Sequence, residues 1–207
     1  MTDPTRVRRH PERGRYERAE IEAILDAALV SHVGFEDERP FVIPMIHARV
    51  GGTLYLHGSP GSRLLRRLER GADVCVTATL VDGLVLARSQ FHHSLNYRSA
   101  VVLGRARLVS DDGEKRQALR AIVDHVLPGR AEDSRPPSEK ELLATMVLAL
   151  PIDEASAKVR TGMPVDEEED EGLPFWAGVV PLKTTPGPPE PVDPELPVPD
   201  YVRRLVD

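Results

Sequence analysis

Two dipeptides constrain this chain more than anything else in it. Gly51-Gly52 joins RPFVIPMIHARV to TLYLH, and Asp82-Gly83 joins ADVCVTATLV to LVLAR. Apolar, β-branched runs separated by two such residues read as antiparallel hairpins, since a tight turn needs residues that tolerate positive φ. A doubly wound α/β sheet needs a helix after nearly every strand, so these hairpins argue against it. Further strand patterns run over His32 to Phe35, Ala100 to Val109, Thr145 to Ile152 and Ala155 to Thr161. The periodicity predicts helices over Tyr16 to about Ser31 and Asp111 to about Leu127, with a capping-box turn from Ser138 to Leu143. The expected fold is mainly β: a small β-barrel with short helices inserted.

The segments outside that pattern set the boundaries. Residues 1–15 carry Arg6, Arg8, Arg9, Arg13 and Arg15 and read as a flexible basic arm. The barrel domain is expected over 16–182. It contains an acidic loop at 163–172, where Asp166 to Glu171 is an unbroken run of acids. From Pro186 onward seven of 22 residues are proline, so 183–207 reads as an extended tail. The net charge of -6 equals that acidic run, so nothing suggests a nucleic-acid partner. No apolar run is long enough to cross a bilayer, and no apolar segment follows the N-terminal basic residues as in a secretory signal. The single cysteine, Cys75, fits a reducing cytoplasm and reads as a buried, inert thiol.

Two polar islands stand out, each following a strand. In HGSPGSRLLRRLERG, Ser62 reads as a helix cap. Leu64, Leu65 and Leu68 form the inner face of that helix, and Arg63, Arg66, Arg67 and Arg70 the outer. Backbone N–H groups at a helix start, with arginines around them, suit a phosphate; a solvated arginine face is the alternative. The second island, QFHHSLNYRS, offers Asn96, Tyr97, Arg98 and Ser99. If the barrel brings the islands together, Ser62, Arg63, Arg98 and Ser99 make an anion-binding cluster. Pro44, inside a long strand, belongs at an edge, a bulge or a place where a ligand lies alongside. There is no phosphate-binding loop, no dinucleotide fingerprint and no nucleophile elbow. His47, His57, His92 and His93 lack partners at metal-ligand spacing.

These motifs together resemble the pyridoxamine 5'-phosphate oxidase-like, FMN-binding split-barrel proteins, in the branch that includes nitroimidazole-resistance proteins. The resemblance rests on the proline-containing strand and hairpin, on YLHG-x(3)-SRLLR and on N-Y-R-S-x-V-x-x-G-R-A, in that order. It implies a homodimer of six-stranded split barrels with FMN in two interface clefts. Ser62 and Arg63 would hold the phosphate, helped by Asn96, Tyr97, Arg98 and Ser99. Pro44 and Met45 would lie against the flavin ring, with His57 and Gly58 close by, and Trp176 would reach the partner's cleft. The expected activity is that of an FMN-dependent oxidoreductase acting on a small-molecule substrate. His57 is the candidate for proton transfer, because an imidazole titrates near neutral pH. The proline-rich C-terminus lacks the substrate-phosphate motif of true pyridoxamine phosphate oxidases. The alternative is a split barrel that binds haem or a deazaflavin without flavin turnover, with His57, His92 or His93 as haem ligand.

Overall fold

The structure is a computed structural model that describes residues 3–206. Residues 1, 2 and 207, the ends of the expected arm and tail, lie outside the described residues. The strands are β1 (Gly14–Arg15), β2 (Val30–Asp37), β3 (Arg39–Val50), β4 (Thr53–Gly58), β5 (Asp73–Leu86), β6 (Ser94–Arg105), β7 (Arg107–Leu108), β8 (Met146–Pro151), β9 (Glu154–Arg160) and β10 (Gly178–Pro181). The helices are α1 (Arg18–Ala27), α2 (Arg63–Glu69), α3 (Asp112–Val126), α4 (Glu139–Leu143) and α5 (Asp200–Arg203). Ten strands are found where six were expected. They form one antiparallel sheet in the order β1-β9-β6-β5-β2-β3-β4-β8-β7, with β10 added to β5.

The architecture is consistent with a split barrel, because strands far apart in that order share one core. Val33 of β2, Val76 of β5, Val102 of β6, Leu56 of β4 and Leu148 of β8 belong to the same buried cluster. Ile21, Ile24 and Leu25 of α1 and Leu64, Leu65 and Leu68 of α2 close it. Each fully buried aliphatic side chain stabilises the fold by about 1.5–3 kcal/mol before the entropy of ordering it is set against that gain. A second, smaller core lies on the opposite face of β4 and β8, where Tyr55, Val147 and Ala149 meet Ala118 and Ile122 of α3.

The Gly51-Gly52 hairpin is present, with Val50 paired to Thr53 and Gly51 at φ +56°. Asp82-Gly83 is not a turn. β5 runs straight through it, and the register against β6 shifts between Val81 and Gly83. Leu84 and Val85 pair onward with Leu95 and Ser94 of β6, and β10 covers the same stretch from the other side. Asp82 accepts from Arg98 Nε at 2.9 Å and Nη2 at 2.7 Å, which fixes the extra residue as a bulge. The second polar island is likewise no loop, since Ser94 onward is already strand β6. The first helix is shorter than expected, because β2 begins at Val30. The last residues of the basic arm form β1, which pairs Gly14 with Lys158 and Arg15 with Ala157. Among the described residues no helix is long and apolar enough to cross a membrane.

Candidate functional site

Ser62 caps α2, its Oγ accepting from Leu65 N–H at 3.4 Å. The leucines of α2 face the core, which forces its arginines outward. Arg63 lies over the Phe41 ring at 4.3 Å, and Phe41 stacks on Phe35. A guanidinium seated on an aromatic face keeps its donor edge free for a ligand. Arg66 donates to Pro60 O at 2.6 Å and Arg67 to Glu36 O at 2.9 Å, and Arg67 also lies 3.9 Å from the Asp37 carboxylate. Two adjoining hollows of about 260 and 280 Å³ run along this face and share Arg67 and Arg70. The seven-residue α2 is short and its first turn is already capped, so the capacity to hold an anion rests on the arginines.

The second island contributes differently from expectation. Asn96 to Ser99 are consecutive on β6, and a strand points consecutive side chains to opposite faces. Arg98 turns to Asp82, as described above. Tyr97 and Ser99 lie on the other face, in register with Val81 and Thr79 of β5. Asn96 bridges Gly162 O and Arg160, so it ties down the start of the acidic loop. Nor do the two islands meet within one chain. Arg63 sits at Phe41, whose row passes through Phe35 to Val74, whereas Ser99 is in register with Thr79. Five residues of β5 separate those rows, about 17 Å of strand.

Pro44 lies in the part of β3 that pairs only with β2, opposite His32, so it stands at an open edge. Val42, Pro44 and Ile46 share its outer face, and Val42 is 64% exposed. Met45 turns inward and packs against the core. Gly58 pairs with Met146, and a Cβ there would stand 3.0 Å from Leu65 Cδ1, so α2 sits tightly on the end of β4. Trp176 is exposed, its ring lying over the backbone of Gly178.

His57 faces away from the arginine helix. With Tyr55 it lies on the side of β4 that meets α3, and it lines a cavity of about 590 Å³. Leu119, Ile122 and Val123 supply the apolar wall of that cavity, and Arg116, Arg120 and Arg135 stand around it. His57 Nδ1 is buried without a hydrogen-bond partner, and burial alone pushes its pKa down. A half-buried imidazole in the wall of a cavity is an arrangement a metal-bearing ligand can use. Sequence reasoning missed this cavity. The signal was available in Arg116 and Arg120, spaced i and i+4 beside the apolar stripe of α3, but the facing wall comes from β4.

His92, His93 and His47 make contacts of their own. His92 lies 3.5 Å from Glu167, and His93 bonds Ser89 O through Nδ1 at 3.0 Å. His47 is fully buried, donates to Leu25 O at 2.9 Å and sits 4.8 Å from the His125 ring, while its Nδ1, like that of His57, is buried without a partner; unlike His57, it does not line the cavity. Among the described residues no group of three His, Cys, Asp or Glu side chains could hold a metal ion. Burial pushes the Cys75 thiol up, in line with an inert side chain. Asp166 is drawn out of the acidic run, accepting from the backbone of Arg88 at 2.9 Å and from its guanidinium at 3.1 Å.

Comparison with protein families matches residues 17–159 to the pyridoxamine 5'-phosphate oxidase family. The chain belongs to that family. Its resemblance to solved structures of this family extends beyond the matched residues. It is 44% identical to the flavocytochrome Anf3 from Azotobacter vinelandii, covering 98% of this chain and 96% of that one at a TM-score of 0.91. It is 39% identical to an FAD- and haem-binding protein from Mycobacterium smegmatis, covering 94% and 97% at a TM-score of 0.88. A 5-nitroimidazole antibiotic resistance protein from Bacteroides thetaiotaomicron is 30% identical over 70% of this chain and 86% of that one, at a TM-score of 0.60. Comparison with curated proteins returned no match.

Proposed function

We propose that this family member is an oxidoreductase with two cofactors, a flavin along α2 and a haem in the cavity between β4 and α3. The observation that carries the reading is His57, a half-buried imidazole that lines a cavity walled by α3. The likeness to a flavocytochrome and to an FAD- and haem-binding protein supports it. The two readings of the sequence, a flavin enzyme and a haem-binding barrel, thus become two sites of one molecule rather than rivals.

When bound, a flavin supplies hydride and single-electron chemistry and a haem supplies single-electron chemistry. The chain's own part is to bind and orient. Arg63, backed by Phe41, engages phosphate oxygens, and Arg66, Arg67 and Arg70 extend the cationic row. The family resemblance implies FMN. The row of four arginines can engage a diphosphate, so FAD is the form favoured here. His57 would offer a ring nitrogen to iron, and burial, by lowering its pKa, favours the neutral imidazole such a bond needs. This assigns His57 to a haem rather than to proton transfer beside the flavin ring.

A homodimer completes the flavin site in this reading. The exposed outer face carrying Val42, Pro44 and Ile46 also carries Val30, Thr79, Tyr97 and Ser99, and a second copy covering it would bring its own residues beside the flavin. The substrate is a small molecule that exchanges electrons with the flavin.

The test is chromatography of what heat releases from the purified protein, together with Arg63→Ala. Release of flavin, with affinity weakened by about 1.5–3 kcal/mol in the variant, is expected from loss of one charge-assisted hydrogen bond. Unchanged flavin affinity in Arg63→Ala would remove Arg63 from the site. The same chromatogram separates FAD from FMN.

A further inference from the structure

Arg116 and Arg120 stand one turn apart on α3, and both line the His57 cavity. Each pairs with an exposed carboxylate from the segment across the cavity, and Arg120 also lies 4.0 Å from Asp124 on its own helix. Arg116 pairs with Glu139 at the start of α4, and Arg120 with Glu132 in the loop before it. A third arginine, Arg135, pairs with Glu141 at 2.8 Å.

The three pairs differ in how firmly the acid is held. Glu141 also accepts from Ser138 N–H at 2.7 Å and from the Ser138 hydroxyl at 2.9 Å, completing the capping box of α4. Those contacts and Arg135 hold its carboxyl down to about 2. Moving Glu141 would uncap the helix. Glu132 and Glu139 have no second partner among the described residues, and their side chains are 69% and 79% exposed. Exposed ion pairs are worth roughly 0–1 kcal/mol, so Arg116 and Arg120 can exchange these acids at little cost.

We infer that Glu132 and Glu139 are placeholders, which a ligand carrying two carboxylates displaces from Arg120 and Arg116. Two guanidiniums one turn apart lie beside the apolar Leu119, Ile122 and Val123. That pattern selects an apolar ligand with a pair of acids on one edge. A porphyrin dicarboxylate has this shape, so the inference rests on the haem reading of the cavity. It makes Arg116 and Arg120 specificity determinants for the acid edge, independent of the nitrogen His57 offers to a metal.

The experiment titrates metal-free protoporphyrin and its dimethyl ester onto the full chain prepared without haem, following porphyrin fluorescence. Without iron, His57 has nothing to ligate, so the arginines are read alone. The acid form is expected to bind at least ten-fold more tightly than the ester. The double variant Arg116→Leu/Arg120→Leu is expected to lose that preference, and Glu132→Gln/Glu139→Gln to bind the acid several-fold more tightly than the parent. Far-ultraviolet circular dichroism checks that each variant is folded. Equal binding of acid and ester, or a preference that survives in the arginine variant, overturns the placeholder inference and leaves the cavity's occupancy standing. Failure of both porphyrins to bind overturns the placeholder inference and the cavity's occupancy together.

Discussion

Among single residues, His47 and His57 are the imidazoles whose protonation the fold alters. Burial lowers the pKa of each from the ordinary imidazole value of 6.5. The unfolded chain therefore takes up protons as pH falls through 6.5, while the folded chain resists until its own lower pKa values are reached. The unfolded state binds more protons in that window, so stability rises with pH across it. In the absence of haem, the denaturation midpoint is expected to fall as pH drops from 7.5 to 5.5. A midpoint that rises on acidification would contradict the burial of these two rings. His57 also shows what a residue list from sequence conveys. Its presence beside a hairpin was legible, but the side of the strand it faces is a matter of register, and one position decides between the barrel interior and α3. The alternation of Asn96 to Ser99 is the same lesson, since four polar residues in a row on a strand cannot serve one face.

Elements were legible where local chemistry decides them. The Gly51-Gly52 turn, the Ser62 cap and the capping box of α4 all follow from residues within a few positions of one another. Asp82-Gly83 misled because the same dipeptide serves a turn or a bulge, and the choice was made at a distance by Arg98 and β10. Gly104 illustrates the reverse. A glycine inside a strand signals a bulge or a close approach, and this one in β6 takes φ +154° with Leu150 Cδ1 only 3.2 Å from where a Cβ would stand. Gly104→Ala is expected to destabilise the fold by about 1–3 kcal/mol through backbone strain and that contact. A thermal or denaturant midpoint unchanged from the parent would show that the strand absorbs the side chain freely.

At the scale of the whole molecule, the sheet leaves one large face uncovered, and the tail is less idle than its composition suggested. Tyr201 in α5 donates to Asp133 Oδ2 at 2.8 Å and accepts from Arg130 at 3.0 Å, so the chain's end returns to the loop that walls the His57 cavity. The proline-rich composition gave no hint of this, because an extended segment has no periodicity to read. The uncovered face carries Val42, Ile46 and Val30, exposed by 64%, 40% and 44%. A charge placed there has little to disturb within one chain and much to disturb between two. Val42→Asp is expected to leave the chain folded, shift it from dimer to monomer in sedimentation, and weaken flavin retention with it. A monomeric parent protein would remove the shared flavin site from the account.

Whether one chain holds a flavin along α2 and a haem against His57 is tested most directly by the visible absorption spectrum. The purified parent, supplied with both cofactors, is expected to show flavin bands together with a sharp haem band. His57→Ala, folded and loaded in the same way, is expected to keep the flavin bands while the haem band shifts or disappears. A haem band identical in the parent and the variant would show that iron is not held by His57, and a parent that takes up neither cofactor would contradict the account as a whole.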